Sequence, residues 1–304
     1  MATRKRFSKQ VMEQVKAPKR VPRAAELHMG QMRPTAPPGV VLNKIGNPDL
    51  VIGVDIETHD WLHDQCNKGQ IGQFGFYTLR DERDLAYSRM IQLGWVVGCL
   101  AADAPPEISK DKFVQPEGFE VSARATNYHK LTHAQVVEGG EPLTEVLRDF
   151  MEDIISAFKR GGRVVAHHLE FDAGIIKNEL ARCGLHDFAD QWASMVRRGT
   201  CTMDPEIGRW ARTCFGKEAG PETSKPIVGL KQMMHWFVPG GGPLVAKHHD
   251  AGADAQMHRL LYIALLDFVK QAAPEAFTDG RDVAVDVGNR PDCAAVANLS
   301  AQGD

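Results

Sequence analysis

The chain has 304 residues with ordinary hydrophobic (43%) and charged (25%) fractions and a net charge of −3, which predicts one sizeable core with room for tails. No apolar run approaches the length of a membrane span, and the N-terminus has no apolar secretory core, so membrane and secreted classes are excluded. We therefore expect a soluble intracellular protein, with nuclear, cytoplasmic and organellar locations all open.

The charge is distributed unevenly along the chain. Residues 1–34 contain nine basic and two acidic residues, a net charge of +7, whereas the remaining 270 residues carry −10. A basic arm on an acidic body can attract a nucleic acid over a long range. A targeting signal or a solvated tail would have the same composition, so all three alternatives stay open. We predict a disordered arm over residues 1–47 and a weakly ordered acidic tail over residues 272–304.

The six cysteines have no C-x-x-C spacing, which predicts reduced thiols and argues against a structural zinc site. They are Cys66, Cys99, Cys183, Cys201, Cys214 and Cys293. Several lie in apolar segments, where a free cysteine behaves as a small buried hydrophobic residue.

An apolar, β-branched run from 50 to 57 predicts a buried strand that ends in charge. Because side chains alternate along a strand, Asp55 and Glu57 point to one face while Ile56 turns into the core. Two like charges this close are costly to bury unless a cation neutralises them, so the pair is a candidate divalent-metal site. For this motif alone, an ordinary strand end with two solvated acids is the alternative.

Further strands and helices follow, which predicts a mixed sheet with helices packed on its faces. The predicted strands lie near 90–100, 113–122, 163–167 and 199–203, and the predicted helices near 142–160, 170–183, 227–237 and 251–271. The long connection 61–88 interleaves aromatic residues with arginines, as single-strand binding sites do, although an extra hairpin with its own small core is the alternative. A glycine-rich, lysine-containing loop at 215–226 is a second candidate for gripping substrate.

Two later helices begin with the remaining acids. Asp172 falls in the first turn of the helix predicted at 170–183, where the helix dipole favours a carboxylate. Asp254 falls in the first turns of the helix predicted at 251–271. His249 lies on the loop just before that helix, where its imidazole can stand over the same site. Each segment alone also fits a plain helix start or a surface loop.

The order of these motifs resembles a known family. Asp-x-Glu on a strand, His-x-x-x-Phe-Asp (167–172) opening one helix and His-x-x-x-x-Asp (249–254) opening another resemble the DEDDh group of 3′-to-5′ exonucleases in the DnaQ-like, ribonuclease H-like superfamily. The resemblance covers roughly residues 48–271. Asp250 excludes the branch of the superfamily that has a tyrosine four residues before its last acid. The family commonly has Asn where this chain has His168, and it frequently has a glycine after the first motif that is absent here.

The resemblance implies a ribonuclease H-like mixed five-stranded sheet flanked by helices and a two-metal exonuclease site. Asp55 would bridge two Mg²⁺ or Mn²⁺ ions. Glu57 and Asp254 would complete the ion on the side of the nucleophile, and Asp172 would support the other ion. His249 would be the general base, since the reference pKa of histidine, about 6.5, suits proton transfer at neutral pH.

Further side chains next to these motifs are candidates for substrate binding. They are Ile56, Thr58, His59, His168, Phe171 and Lys247. We expect the side chain of His248 to point away from the site. The expected partner is a nucleic acid with a free 3′ end; no membrane partner is expected, and a homodimer is left open.

The sequence leaves the substrate and part of the functional class open. An RNA-trimming or oligoribonucleotide-degrading member of the superfamily would use the same residues. A non-catalytic nucleic-acid-binding or interaction module on this fold is the alternative from another class, although the loss of an acid that would favour it is not observed. DNA and RNA, and single and double strands, are not distinguished.

Overall fold

The structure of the protein is a computed structural model that describes residues 37–60, 87–215 and 227–277. Its strands are β1 (Leu50–Thr58), β2 (Met90–Cys99), β3 (Ile108–Phe113), β4 (Gly162–Ala166) and β5 (Thr200–Cys201). Its helices are α1 (Gly39–Ile45), α2 (Ala123–His129), α3 (His133–Gly139), α4 (Leu143–Lys159), α5 (Leu169–Arg182), α6 (His186–Val196), α7 (Pro205–Phe215), α8 (Leu230–Phe237), α9 (Gly242–Val245) and α10 (Ala251–Ala272). Residues 61–86 and 216–226, which make up most of the two candidate substrate-gripping segments, lie outside the described residues. Residues 1–36 of the predicted arm and residues 278–304 of the predicted tail also lie outside them.

The five strands form one mixed sheet in the order β3, β2, β1, β4, β5. β2 is antiparallel to both β1 and β3, whereas β4 is parallel to β1 and to β5. Helices cover both faces, so the predicted α/β architecture, a mixed five-stranded sheet flanked by helices, is confirmed. Because β1 and β4 are parallel neighbours, their carboxyl ends meet at one edge of the sheet.

β1 separates two hydrophobic cores, because alternate side chains face opposite sides of the sheet. Ile52, Val54 and Ile56 lie in the first core, which α4, α5 and α6 cover. Val51 lies in the second core, which α1, α7, α8 and α10 cover. Burying each such aliphatic side chain stabilises the fold by about 1.5–3 kcal/mol. Burial on both faces explains why the strand is apolar throughout except near its end.

The backbone of α10 lies directly against β1 and β2, at two glycines. A Cβ on Gly53 would lie 2.1 Å from the carbonyl oxygen of Ala255, and one on Gly94 would lie 2.2 Å from that of Ala251. No side chain fits in these gaps, so glycine permits the close approach of helix and strands. This packing fixes the first turn of α10 beside the carboxyl end of β1.

The third strand differs from its prediction. β3 occupies Ile108–Phe113 rather than the predicted 113–122. It is an edge strand whose sequence, ISKDKF, intersperses charged residues among apolar ones, so it lacks the continuous apolar signal of the two central strands. Residues 114–122 contribute an isolated bridge between Val114 and Glu141 instead. Helices α2, α3, α6 and α7 are also absent from the sequence prediction.

α1 packs in the second core, although it lies within the predicted disordered arm. Val41 and Ile45 are fully buried. The hydroxyl of Tyr262 on α10 donates to the carbonyl of Ile45 over 2.8 Å. Residues 39–45 therefore form a packed helix, which corrects this part of the disordered arm predicted over residues 1–47.

Two predictions from composition concern the described residues. None of the helices in the described ranges is both long and apolar enough to cross a membrane. The four cysteines in these ranges are free thiols, as the absence of a pairing pattern predicts.

Candidate functional site

Three carboxylates meet at the carboxyl end of the central strand. Asp55 and Glu57 lie on the face of β1 that α10 covers, and Asp254 lies in the first turn of α10. One carboxylate oxygen of each residue lies within 4.8 Å of the other two. Glu57 and Asp254 are 8% and 3% exposed, and the side chain of Asp55 is 15% exposed. The packing of α10 on β1 thus brings the first and third sequence motifs together.

The second motif reaches the same place from the opposite layer. Asp172 lies in the first turn of α5, as its position in the sequence predicts. The backbone N–H groups of Ile56 and of Asp172 itself favour the ionised form of its carboxylate. It is 4% exposed and interacts electrostatically with the other three acids. All four predicted acidic residues therefore belong to one cluster.

Burial makes this cluster unfavourable for negative charge. Desolvation, followed by repulsion from the neighbouring carboxylates, raises the pKa values of Asp55 and Glu57 well above their usual range. Desolvation likewise raises the pKa of Asp172 to about 8, although its backbone hydrogen bonds oppose the shift. Asp55, Glu57 and Asp172 need a cation nearby if they are to stay ionised at neutral pH. Their donor atoms are oxygens, which fits Mg²⁺ or Mn²⁺.

The loop before α10 holds two histidines against the acids. α10 begins at Ala251, as predicted, and His249 lies on the preceding loop. His249 has a φ of 76°, which is uncommon for a residue with a Cβ. Its backbone N–H donates to Oδ2 of Asp254 over 3.2 Å. Its ring lies against those of Tyr128 and His248, at centroid distances of 3.8 and 3.7 Å.

The position of His248 corrects the expectation that its side chain points away from the site. Its Nδ1 lies 2.8 Å from Oδ2 of Asp254 and 3.1 Å from Oδ1. A ring nitrogen this close to an ionised carboxylate carries the proton, so Nε2 is the acceptor in the neutral ring. The backbone of His249 is in the left-handed region, and its ring contacts the ring of His248. Residue spacing alone does not predict this backbone conformation, so it did not predict the direction of the His248 side chain.

Burial decides the charge of the His249 ring. Burial, with a smaller contribution from His248, lowers the pKa of its imidazole to about 4, although Asp254 opposes the shift. At pH 7 the ring is therefore uncharged and can accept a proton.

Two side chains at the site are absent from the sequence-based set. Tyr128, near the end of α2, is 45% exposed and packs on His249. Burial, followed by repulsion from the nearby acids, raises the pKa of its hydroxyl group. His258 lies one turn after Asp254 on α10, is 1% exposed, and has its Nε2 3.8 Å from Oδ1 of Asp55. The sequence signal for His258 is its i,i+4 spacing from Asp254, which puts both on one helix face.

Three of the predicted substrate-binding residues lie close in sequence to the acids or to His249. His168 and Phe171, on either side of the start of α5, stack with ring centroids 5.7 Å apart and planes inclined by 16°. Lys247 is exposed, two residues before His249. A flat aromatic pair and a cation next to a cluster of acids are side chains that can contact a nucleobase and a phosphate.

The other three predicted substrate-binding residues direct their side chains elsewhere. Ile56 is 5% exposed and lies in the first core, so only its backbone borders the acids. The hydroxyl of Thr58 donates to the carbonyl of Asp60 over 2.9 Å. Nδ1 of His59 accepts the backbone N–H of Arg89 at 3.0 Å, and its ring packs on Tyr87 and Phe119. These contacts hold the turn after β1.

Comparisons with known proteins agree with the fold. No protein-family model and no curated protein matches the sequence. A structure of exonuclease I that suggests how processivity is achieved has a TM-score of 0.52 and 13% identity, and the match covers 75% of this chain and 42% of that one. E. coli exonuclease I in complex with a dT13 oligonucleotide has a TM-score of 0.49 and 14% identity, with coverage of 75% and 42%. This chain spans less than half the length of those proteins. The structural match confirms the ribonuclease H-like fold class.

Proposed function

We propose that this chain is a metal-dependent 3′-to-5′ exonuclease of the DEDDh kind, which hydrolyses phosphodiester bonds of DNA or RNA. The observation that carries the proposal is the convergence of four buried acids from three segments at one edge of the sheet. A fold shared with an exonuclease supports it. A cluster this costly to bury is explained if binding of cations offsets the repulsion.

The four acids would hold two divalent cations, Mg²⁺ or Mn²⁺. Asp55, Glu57 and Asp254 have oxygens close enough to share an ion, and Asp172 approaches them from α5. When bound, such ions neutralise the charge on the scissile phosphate and make water a better nucleophile. The protein supplies the fixed positions of the oxygens, which the sheet and the glycine contacts of α10 hold rigid.

His249 is proposed as the general base. It would take a proton from the water that attacks phosphorus, while the bond from phosphorus to the 3′ oxygen breaks and that oxygen gains a proton. The neutral state of the ring at pH 7 supports this role. We assign His248 a positioning role, because its ring contacts the carboxylate of Asp254 directly. The ring of Tyr128 would limit the movement of His249.

The substrate is proposed to be a nucleic acid that enters by its 3′ end. The His168 and Phe171 pair would stack against a base near that end, a contact worth about 1–3 kcal/mol per base. Lys247 would contact a phosphate. Stacking and charge contacts tolerate any base, so we expect weak sequence preference.

The decisive experiment uses oligonucleotides labelled at the 3′ or the 5′ end, as DNA and as RNA, with Mg²⁺, Mn²⁺ or EDTA. A 3′ label should appear at once as mononucleotide, whereas a 5′ label should give a ladder of shortening products. Asp55→Asn should lower the rate by at least several hundredfold, because it removes a charge that the phosphate-binding cations require. Asp190→Asn, which alters an exposed acid on α6 away from the cluster, is the matched control and should retain the full rate. Undiminished hydrolysis in EDTA would contradict the metal-dependent mechanism.

A further inference from the structure

His258 presents one of its ring nitrogens to the acid cluster. It is 1% exposed and lies on the same face of α10 as Asp254, one turn later. Its Nδ1 is 2.8 Å from the carbonyl oxygen of Val54. A carbonyl only accepts hydrogen bonds, so Nδ1 carries the proton and Nε2 of the neutral ring presents a lone pair. The parallel pairing of β1 with β4 ends at Gly53, which leaves the Val54 carbonyl for this contact.

That lone pair faces Asp55 across a gap of a particular size. Nε2 of His258 is 3.8 Å from Oδ1 of Asp55. This separation is too long for a hydrogen bond. It is short enough for one ion to reach both atoms, since two bonds of about 2.1 Å each span up to about 4.2 Å. A nitrogen lone pair and a carboxylate oxygen that face the same gap can both bind one metal ion.

The rest of the surroundings of His258 keep the ring in place. Its stacking neighbour is His167, at a centroid distance of 6.5 Å, and Nδ1 of His167 is engaged with the hydroxyl of Thr202 at 3.0 Å. Because the ring is held by Val54 on one side and packed on the other, Nε2 has a fixed direction. A ring that is held in one orientation keeps its nitrogen directed at the metal ion, so the nitrogen can contribute to metal selection.

We propose that Nε2 of His258 is a ligand of the ion held by Asp55, so that the centre selects a first-row transition ion such as Mn²⁺ over Mg²⁺. Imidazole nitrogen is a poor ligand for Mg²⁺, which prefers oxygen donors, and a better one for transition ions. The inference rests on the proposed binding of cations by the acids, but it does not require that the bound protein cleave nucleic acid.

The first test is metal binding measured by calorimetry on the full chain after removal of metal, with MnCl₂ and MgCl₂ as the probes. The wild type should bind Mn²⁺ at least about tenfold more tightly than Mg²⁺. His258→Asn keeps a side-chain N–H that can donate to Val54 but lacks Nε2, so this preference should shrink toward unity. His186→Asn, which alters an exposed histidine at the start of α6, is the matched control. It should retain the preference, and an unchanged ratio in folded His258→Asn would overturn the proposal.

A second measurement does not depend on the folding of the His258 variant. Electron spin-echo spectroscopy of bound Mn²⁺ detects coupling to a directly bonded nitrogen. In the double variant His248→Ala and His249→Ala, whose substitutions lie on the loop before α10, the nitrogen coupling should persist because His258 is intact. Loss of the coupling would overturn the proposal. If Mn²⁺ binds with nitrogen coupling but no oligonucleotide is cleaved, the proposed function fails while this inference stands. If oligonucleotides are cleaved but bound Mn²⁺ shows no nitrogen coupling, this inference fails while the proposed function stands.

Discussion

At the scale of single residues, His248 and His249 approach the same carboxylate in different ways. The ring of His248 contacts Asp254, whereas His249 contacts it through the backbone and leaves its ring on Tyr128. A ring bound to a metal-holding carboxylate orients that carboxylate, while a neutral ring beside it can accept a proton. The two histidines are therefore expected to fail in different ways when removed.

We expect His249→Ala to lower kcat by about a hundredfold or more, because general-base catalysis contributes about 10²–10⁴ to the rate. Its apparent affinity for Mn²⁺ should stay unchanged. His248→Ala should instead raise the metal concentration required by about tenfold, with most of kcat restored at saturating metal. Rates measured across a metal titration separate the two effects. The opposite assignment would identify His248 as the base.

Asp172 gives a prediction for the pH dependence of stability in EDTA. Its pKa in the folded protein is about 8, well above the usual value of 3.8. Between these values the folded state binds more protons than the unfolded state, so the free energy of unfolding falls as pH rises through this window. Each pKa unit corresponds to about 1.4 kcal/mol, and the total effect should reach a few kcal/mol.

Asp172→Asn removes this dependence, since the amide has no charge to lose. In EDTA its melting temperature should exceed that of the wild type at about pH 8 and match it at about pH 4. Added Mn²⁺ should reverse the order at the higher pH, because it stabilises the wild type by binding. Equal melting temperatures of Asp172→Asn and the wild type in EDTA at both pH values would show that the pKa of Asp172 is not raised in the folded protein.

The acids and His249 were accessible from sequence because each lies at a fixed offset from a strand or helix start. Tyr128 has no such offset, and the i,i+4 spacing of His258 from Asp254 places it on the same helix face but does not predict its approach to Asp55. His258 becomes adjacent to Asp55 only when α10 packs on β1. Spacing along a chain predicts which side chains share an element, but contacts between elements depend on packing that no spacing encodes.

At the scale of elements, the contact of α10 with β2 positions Asp254, in the first turn of the helix. We expect Gly94→Ala to destabilise the fold by about 1–3 kcal/mol or more, because its Cβ would lie 2.2 Å from the carbonyl oxygen of Ala251. The helix must shift, and Asp254 in its first turn must shift with it. Metal affinity should therefore fall together with the melting temperature.

Gly39→Ala is the control for that prediction. Nothing lies within 4 Å of a Cβ built on Gly39, at the start of α1. Its effect on the free energy of unfolding should stay within about 0.5 kcal/mol. Chemical denaturation and calorimetry with Mn²⁺ measure both quantities. If Gly94→Ala is destabilised but binds Mn²⁺ with normal affinity, the contact of α10 with Gly94 does not determine the position of Asp254.

The central strands and several helices lie near their predicted positions, whereas α6 and α7 are amphipathic helices that were not predicted from the sequence. β1, β2, α4, α5 and α10 are near their predicted positions, because each buries a continuous run or stripe. β3 lies at the edge of the sheet and carries alternating charge, so its signal is weak. The short helices α2 and α3 do have capping signals, Ser122 for one and Thr132 with Gln135 for the other, and these local signs could have located them.

At the scale of the whole molecule, the charge of the sequence changes sign ahead of α1. The first 34 residues carry +7 and the remainder carries −10. α1, which begins at Gly39, is buried against α10 through Val41 and Ile45. A deletion of residues 1–34 ends before α1, whereas a deletion through residue 45 would expose the second core. This boundary makes the function of the arm testable.

Deleting residues 1–34 should weaken nucleic-acid binding at low salt if the arm contacts phosphates. Each lost contact should flatten the slope of log affinity against log salt by about 0.7 for a single strand. Turnover at saturating substrate should hardly change, because all the proposed catalytic residues lie beyond residue 50. Replacing the nine basic residues of the arm with glutamine keeps its length and should reproduce the deletion. Identical binding curves for all three proteins across the salt series would favour a targeting signal or a solvated tail, and would leave the exonuclease proposal as it stands.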